Sequence, residues 1–193
     1  MLKHNKKILL ILGHPRKNSF CGALAESYAN GARKADHKIQ TLYLEEMNFN
    51  LILNDTQKQK LEPCLLDAQE KINWADHLIF VYPTWWSSMP ALLKGFVDRV
   101  FISGFAFKYK EKKILPARFL TGKTMRLIIT MDTRPWLYKL FLGNIHKKEM
   151  RNLAIFCGIK SPQATYLGSI KFSSLTERQN WLKQIYKFGE KAK

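Results

Sequence analysis

At 193 residues, with 46% hydrophobic and 12% aromatic side chains, the chain is long and apolar enough to bury a sizeable core, which excludes a disordered protein. Its 32 Lys and Arg against 15 Asp and Glu leave a net charge of +17, which admits anionic partners (nucleic acid, dinucleotide phosphates, acidic lipid surfaces) without choosing among them. No apolar run reaches the roughly 18 residues of a membrane span, and Cys21, Cys64 and Cys157, with no CxxC pair, argue against a disulfide framework and for a reducing compartment.

The first aliphatic run, Lys7–Gly13, reads as a strand buried on both faces. Its apolar centre, Ile8–Leu12, is too short for the core of a signal peptide and no small-residue cleavage site follows, so a cytoplasmic protein is expected. Phe20, Leu24 and Tyr28 recur at helical spacing over Ser19–Lys34, and Lys38–Leu44 reads as a second strand. Phe49–Pro63 is polar and irregular, with Asn50, Asn54 and Asp55. Cys64–Trp74 follows as a helix with Leu65, Ala68 and Ile72 on one face, and His77–Tyr82 is the third strand. Ala91–Phe101 is the clearest helix, with Leu92, Leu93, Phe96, Val97, Val100 and Phe101 in one stripe and Lys94, Asp98 and Arg99 off it. Met125–Met131 is the fourth strand, Ile145–Cys157 a helix and Gln163–Leu167 a short fifth strand. Ser174-Leu175-Thr176-Glu177 is a capping box opening a last helix whose core face is Trp181, Leu182, Ile185 and Tyr186.

Five strands alternating with helices, with no repeat or linker between them, predict one α/β domain over residues 1–193: a doubly wound, five-stranded parallel sheet covered on both faces. In the flavodoxin-like order 2-1-3-4-5, ligands bind beyond the carboxyl ends of the strands, at the loops after strands 1, 3 and 4. Here these are Gly13–Ser19, Pro83–Pro90 and Asp132–Asn144.

The first loop runs from a buried strand into a helix N-terminus, a ready anion site, with Asn18 and Ser19 as caps or donors and His14, Arg16 and Lys17 as nearby positive charge. It lacks GxGxxG and GxxxxGK[ST], so neither a dinucleotide fingerprint nor a P-loop is indicated, and an ordinary capped helix remains the alternative. The second loop sets Trp85 and Trp86 between two prolines, which suits a flat ligand such as a flavin ring, held by stacking and by loop amides; one core tryptophan and one at a subunit interface is the competing reading. The third loop offers Tyr138 and His146 as sources of protons or hydrogen bonds near a substrate carbonyl, although a packed tyrosine and a surface histidine fit the spacing better. The five histidines show no i, i+3 or i, i+4 pairing, so no metal site is expected.

Val81-Tyr82-Pro83-Thr84-Trp85-Trp86-Ser87-Ser88-Met89-Pro90-Ala91-Leu92-Leu93-Lys94-Gly95-Phe96-Val97-Asp98-Arg99-Val100-Phe101, with Gly13-His14, Asn18-Ser19-Phe20 and Gly104-Phe105-Ala106-Phe107-Lys108-Tyr109, resembles the flavodoxin-like NAD(P)H:quinone oxidoreductases, the DT-diaphorase-like family, in its short bacterial form. The resemblance runs from about Lys7 to Gly158. It implies FMN or FAD, with His14, Asn18, Ser19 and Phe20 at the flavin phosphate. Pro83, Thr84, Trp85, Trp86 and Ser87 would sit at the ring, and Thr130, Met131, Asp132 and Tyr138 on its far side. It further implies a homodimer in which Phe107 and Tyr109 reach the partner's substrate pocket, Tyr138 and His146 as catalytic residues, and hydride transfer from NAD(P)H to the flavin and on to a quinone. Met131-Asp132-Thr133-Arg134-Pro135 departs from the glycine-rich loop of DT-diaphorase, and Cys21 stands where that enzyme has asparagine. A flavodoxin-like electron carrier or regulatory subunit, as in potassium-efflux systems, is the second reading. A nucleic-acid-binding protein is the third; it rests on charge alone, without a helix-turn-helix, RRM or zinc-finger pattern.

Overall fold

The structure is a computed structural model that describes residues 5–54, 60–110 and 115–193; Asp55 of the polar segment lies outside them. Strands β1 (Lys7–Leu12), β2 (Lys38–Tyr43) and β3 (His77–Pro83) are joined by helices α1 (Phe20–Lys34) and α2 (Pro63–Trp74). Then follow α3 (Ala91–Val100), a two-residue antiparallel ribbon of β4 (Phe107–Lys108) and β5 (Ala117–Arg118), and β6 (Thr124–Thr130). The chain closes with α4 (Pro135–Leu142), α5 (Ile145–Cys157), β7 (Gln163–Leu167) and α6 (Leu175–Glu190). The large sheet is parallel, in the order β2-β1-β3-β6-β7, which is the expected 2-1-3-4-5 once the ribbon strands are left out.

Because side chains alternate along a strand, the aliphatic runs feed two cores at once. Leu9, Ile11, Leu78, Phe80, Tyr82, Leu127 and Ile129 pack beneath α2, α3 and α5. Ile8, Leu10, Leu12, Ile79, Val81 and Ile128 pack beneath α1 and α6. Helices α1 and α6 touch backbone to backbone: a Cβ at Gly31 would meet the Tyr186 carbonyl oxygen at 2.0 Å, and one at Gly189 the Tyr28 carbonyl oxygen at 2.1 Å. That close approach carries the packing, so of the expected α6 core face only Ile185 is fully buried, while Trp181 and Leu182 are half-buried against the same core.

Three expectations are corrected. The Asp132–Asn144 loop contains α4, a helix opened by Pro135 and closed by Gly143 in the left-handed region, φ 59°. Proline at the first turn and glycine past the last are ordinary helix punctuation, but the eight-residue run they bound, apolar except for Lys139 and the Tyr138 hydroxyl, is barely two turns long, too short to show its period. Arg99, expected off the buried stripe, is 1% exposed. The chain after β2 folds over the outer side of α3, with Leu51 seated on Gly95, where a Cβ would meet it at 2.9 Å. Arg99 then donates to the Asn50 carbonyl and pairs with Glu62, Nη2 to Oε2 2.6 Å. The N-terminal end of α2 lies at Pro63, one residue before the expected start, because proline suits the first helical position.

Candidate functional site

At the carboxyl ends of β1, β3 and β6 the structure forms a cavity of about 410 Å3. It brings together ten residues singled out from the sequence: His14, Arg16, Ser19, Phe20, Pro83, Thr84, Trp85, Thr130, Met131 and Asp132. Cys21 and Ile170 complete the wall.

At one end lies the start of α1. Ser19 is extended and caps the helix, its Oγ accepting from the Gly22 amide at 3.2 Å, and the first intrahelical bond runs from the Ala23 amide to the Ser19 carbonyl. The Phe20 and Cys21 amides therefore stand among the free donors of a helix N-terminus, beside Arg16. The loop closes this tightly because residue 22 is glycine: a Cβ there would meet the Lys17 carbonyl oxygen at 1.8 Å. Gly22→Ala is expected to push the 14–19 loop off the helix and weaken binding of a phosphate-bearing ligand at least roughly tenfold, about 1.4 kcal/mol. Titration of the wild type and the variant with FMN, followed by flavin fluorescence, checks it. His14 is held by the same loop: the Arg16 amide donates to its Nδ1 at 2.9 Å, so the neutral ring carries its proton on Nε2. Burial and then the neighbouring Arg16 charge lower its pKa.

Two of the expected contributors lie elsewhere. Lys17 turns outward to Glu46, 3.1 Å away, and over the Tyr43 ring. Asn18 is exposed and does not line the cavity.

The second wall is the loop after β3. The Thr84 amide donates to the Thr130 carbonyl at 2.7 Å, and Trp85 and Ser88 exchange backbone bonds at 2.9 and 3.0 Å. Between them Trp86 and Ser87 have φ of 46° and 65°, a two-residue reversal built from side chains that disfavour this region. Strain of this kind typically costs about 1–3 kcal/mol per residue and is concentrated at functional sites. Trp85 lines the cavity, its ring edge-on to His14 at 6.1 Å, whereas Trp86 is fully exposed and, like Ser87, stands outside the wall.

Behind this wall lies a buried aromatic group. The Thr84 hydroxyl and His146 Nε2 are 2.9 Å apart, the His146 amide donates to the Tyr138 hydroxyl at 3.0 Å, and the two rings stack at 5.4 Å. His146 is 0% exposed, so it is no surface histidine, and burial pushes its pKa down to about 4. Burial raises that of Tyr138. Neither side chain lines the cavity; both reach it through Thr84.

The third wall, Thr130–Asp132, is tied down by the Met131 amide to the Leu167 carbonyl, 2.9 Å, and by Asp132, whose Oδ1 accepts from the Lys171 amide at 3.0 Å. Gly168 lets the following residues close in, since a Cβ there would meet Pro135 Cδ at 2.3 Å. Cys21 is 3.2 Å from the Thr130 hydroxyl, and burial pushes its thiol up to about 12, so it is no nucleophile at neutral pH. The sequence named Arg16 and Lys17 together without separating them, and it did not single out Gly22 or Ile170. Only Gly22, a glycine inside the first helical turn, left a readable signal. Phe107 and Tyr109 lie away from the cavity and form an aromatic group with Phe156, centroids 5.0–6.0 Å apart. Among the described residues no group of three or more His, Cys, Asp or Glu could hold a metal ion.

A Haemophilus influenzae protein named as an NAD(P)H oxidoreductase is 31% identical over 170 residues, 84% of this chain and 83% of its own. Rat ribosyldihydronicotinamide dehydrogenase [quinone] is 28% identical over 197 residues, 83% of this chain and 81% of its own. The crystal structure of Smu.1420 from Streptococcus mutans superposes with a TM-score of 0.82 at 32% identity, covering 96% of this chain and 99% of that one. The Flavodoxin_2 family model, described as a flavodoxin-like fold, matches residues 6–187. With a sheet of that order and relatives named as NAD(P)H and quinone oxidoreductases, the chain belongs to the flavodoxin-like family of oxidoreductases.

Proposed function

We propose that this protein is a flavin-dependent NAD(P)H oxidoreductase that reduces a quinone or similar acceptor by two electrons. One observation carries the reading: a single cavity joins a helix N-terminus beside Arg16 to a wall bearing Trp85 and Thr84. The donor set fits FMN. The open α1 amides, Ser19 and Arg16 suit a phosphate, and Trp85 with the Pro83–Trp85 backbone suits the edge and face of a flat ring. When bound, the flavin supplies hydride acceptance and release. The protein's own part is positional. Asp132 and Met131 bound the site on the β6 side, and Thr84 presents a hydroxyl whose direction is set by neutral His146, itself braced by Tyr138. In this reading Tyr138 and His146 act through Thr84, not by direct proton delivery as the resemblance implies.

The exposed Tyr109 with Phe107 and Phe156 supports a homodimer in which this aromatic group faces the partner's pocket, and fully exposed Trp86 suits contact with a ligand or a second copy. Three free cysteines support a reducing, cytoplasmic setting.

The test is the visible spectrum of protein incubated with FMN or FAD, before and after anaerobic NADPH, NADH or dihydronicotinamide riboside. A flavin band that bleaches and recovers with a quinone is expected. A bound flavin that no donor bleaches leaves the electron carrier as the function; no bound flavin overturns the proposal.

A further inference from the structure

We propose that α4 docks this protein on an anionic lipid surface. The helix is two-sided. Tyr138 is buried against His146, while Trp136, Leu140, Phe141 and Leu142 project into solvent. Phe172, also exposed, stands across a cleft whose wall includes Arg134 and Leu137 together with Asp132 and Glu177, a second apolar side chain near the helix but separated from it by polar groups. Large contiguous apolar groups on a surface mark a place that is covered by something.

The charge around them says what covers it. Residues 133–148 contain Arg134, Lys139, Lys147 and Lys148 and no Asp or Glu. None of these four forms an ion pair with a described carboxylate. The acidic groups at the margins are turned to other partners: Asp132 to the Lys171 amide, Glu149 to the Ser88 hydroxyl, and Glu177 to the Ser174 amide. Trp, Leu and Phe flanked by unneutralised Lys and Arg on a short helix is the composition of a segment lying in the plane of a bilayer interface. Among the described residues no helix is long and apolar enough to cross a membrane, so the contact is one of surface. A second copy fits worse, because a two-fold contact through this face sets the same cations opposite one another.

Docked in this way, the two sides of one helix serve one purpose. The outer side meets lipid, and the inner side braces the His146–Thr84 pair at the cavity, bringing the site close to an acceptor dissolved in the bilayer. That last step rests on the quinone reductase reading; lipid binding itself does not.

The experiment is co-sedimentation of the FMN-incubated 193-residue protein with vesicles of phosphatidylcholine alone or mixed with phosphatidylglycerol. Two variants, Lys139→Gln/Lys147→Gln and Leu140→Ser/Phe141→Ser, are compared with the wild type. Binding is expected on the mixed vesicles only. At about 1 kcal/mol for each surface cation, the lysine pair should weaken it roughly thirtyfold. The apolar pair should abolish most of it even at low salt. Absence of binding to mixed vesicles overturns the proposal, as does binding that the apolar pair leaves intact. A wild-type oligomer that the apolar pair dissociates, without vesicle binding, assigns the face to a second copy. NADPH bleaching and turnover with a water-soluble quinone, read on the same samples, should be unchanged in both variants; their absence in the wild type counts against the reductase reading alone.

Discussion

Replacing Glu62 with alanine is expected to lower the unfolding free energy by about 2–3 kcal/mol, below the range of about 3–5 kcal/mol for a fully buried ion pair, because Arg99 is buried but the Glu62 side chain is 28% exposed. Arg99 is 1% exposed, and its guanidinium has two acceptors, the Glu62 carboxylate and the Asn50 carbonyl. Glu62 also accepts from the Asn50 amide at 3.0 Å. Burial opposes its charge, but the Asn50 amide and Arg99 outweigh that and hold the carboxyl below its usual range. Without Glu62, a buried cation keeps a single carbonyl partner, and the segment lying over α3 loses its anchor. The double variant Glu62→Ala/Arg99→Met should cost less than Glu62→Ala alone, since no charge is then stranded. Urea unfolding of the three proteins decides. A single-variant loss below roughly 1 kcal/mol, the level of an exposed pair, would show that Arg99 finds water or another partner.

Stability should also fall steeply on mild acidification. His77 and His146 both have pKa values pushed down to about 4: His77 by burial and then by the Lys6 and Arg126 charges, His146 by burial alone. Each is neutral in the native state, whereas an unfolded histidine titrates near 6.5. Between about pH 6.5 and pH 4 the unfolded chain therefore binds protons that the native protein refuses. The stabilisation is fully present above 6.5 and is lost as pH falls through that window. A depression of this size corresponds to about 3 kcal/mol for each ring. Denaturant midpoints at pH 7 and pH 4.5 measure the slope, and His77→Gln and His146→Gln should each flatten it. A profile that is level from pH 7 to pH 5 would mean that both rings reach water in the native protein.

The sheet was legible because its central strands, β1, β3 and β6, are buried on both faces. Ile8–Leu12 and Leu78–Tyr82 read as unbroken apolar runs that a covered parallel sheet accommodates, and the flanking Gly13 and Pro83 mark the loops. The position of the cavity followed from the same order, since ligands of such sheets sit at the strand ends where the order reverses. Helix α4 was hidden by its shortness: eight residues, apolar except for Lys139 and the Tyr138 hydroxyl, make too few turns for a period to stand out. Arg99 was misplaced because a helical wheel shows one buried face, whereas α3 is covered on a second side by the chain after β2.

By itself, then, the amino-acid sequence determined the five sheet strands, their order and the helices between them other than α4, because hydrophobic periodicity and helix punctuation are local properties. Tertiary structure alone decided that Lys17 faces Glu46 while Arg16 faces the cavity, that Trp85 lines it while Trp86 stands clear, and that His146 is buried behind Thr84. Those choices depend on contacts between residues far apart in the chain, 62 positions for Thr84 and His146, and no local pattern encodes which side chains will meet.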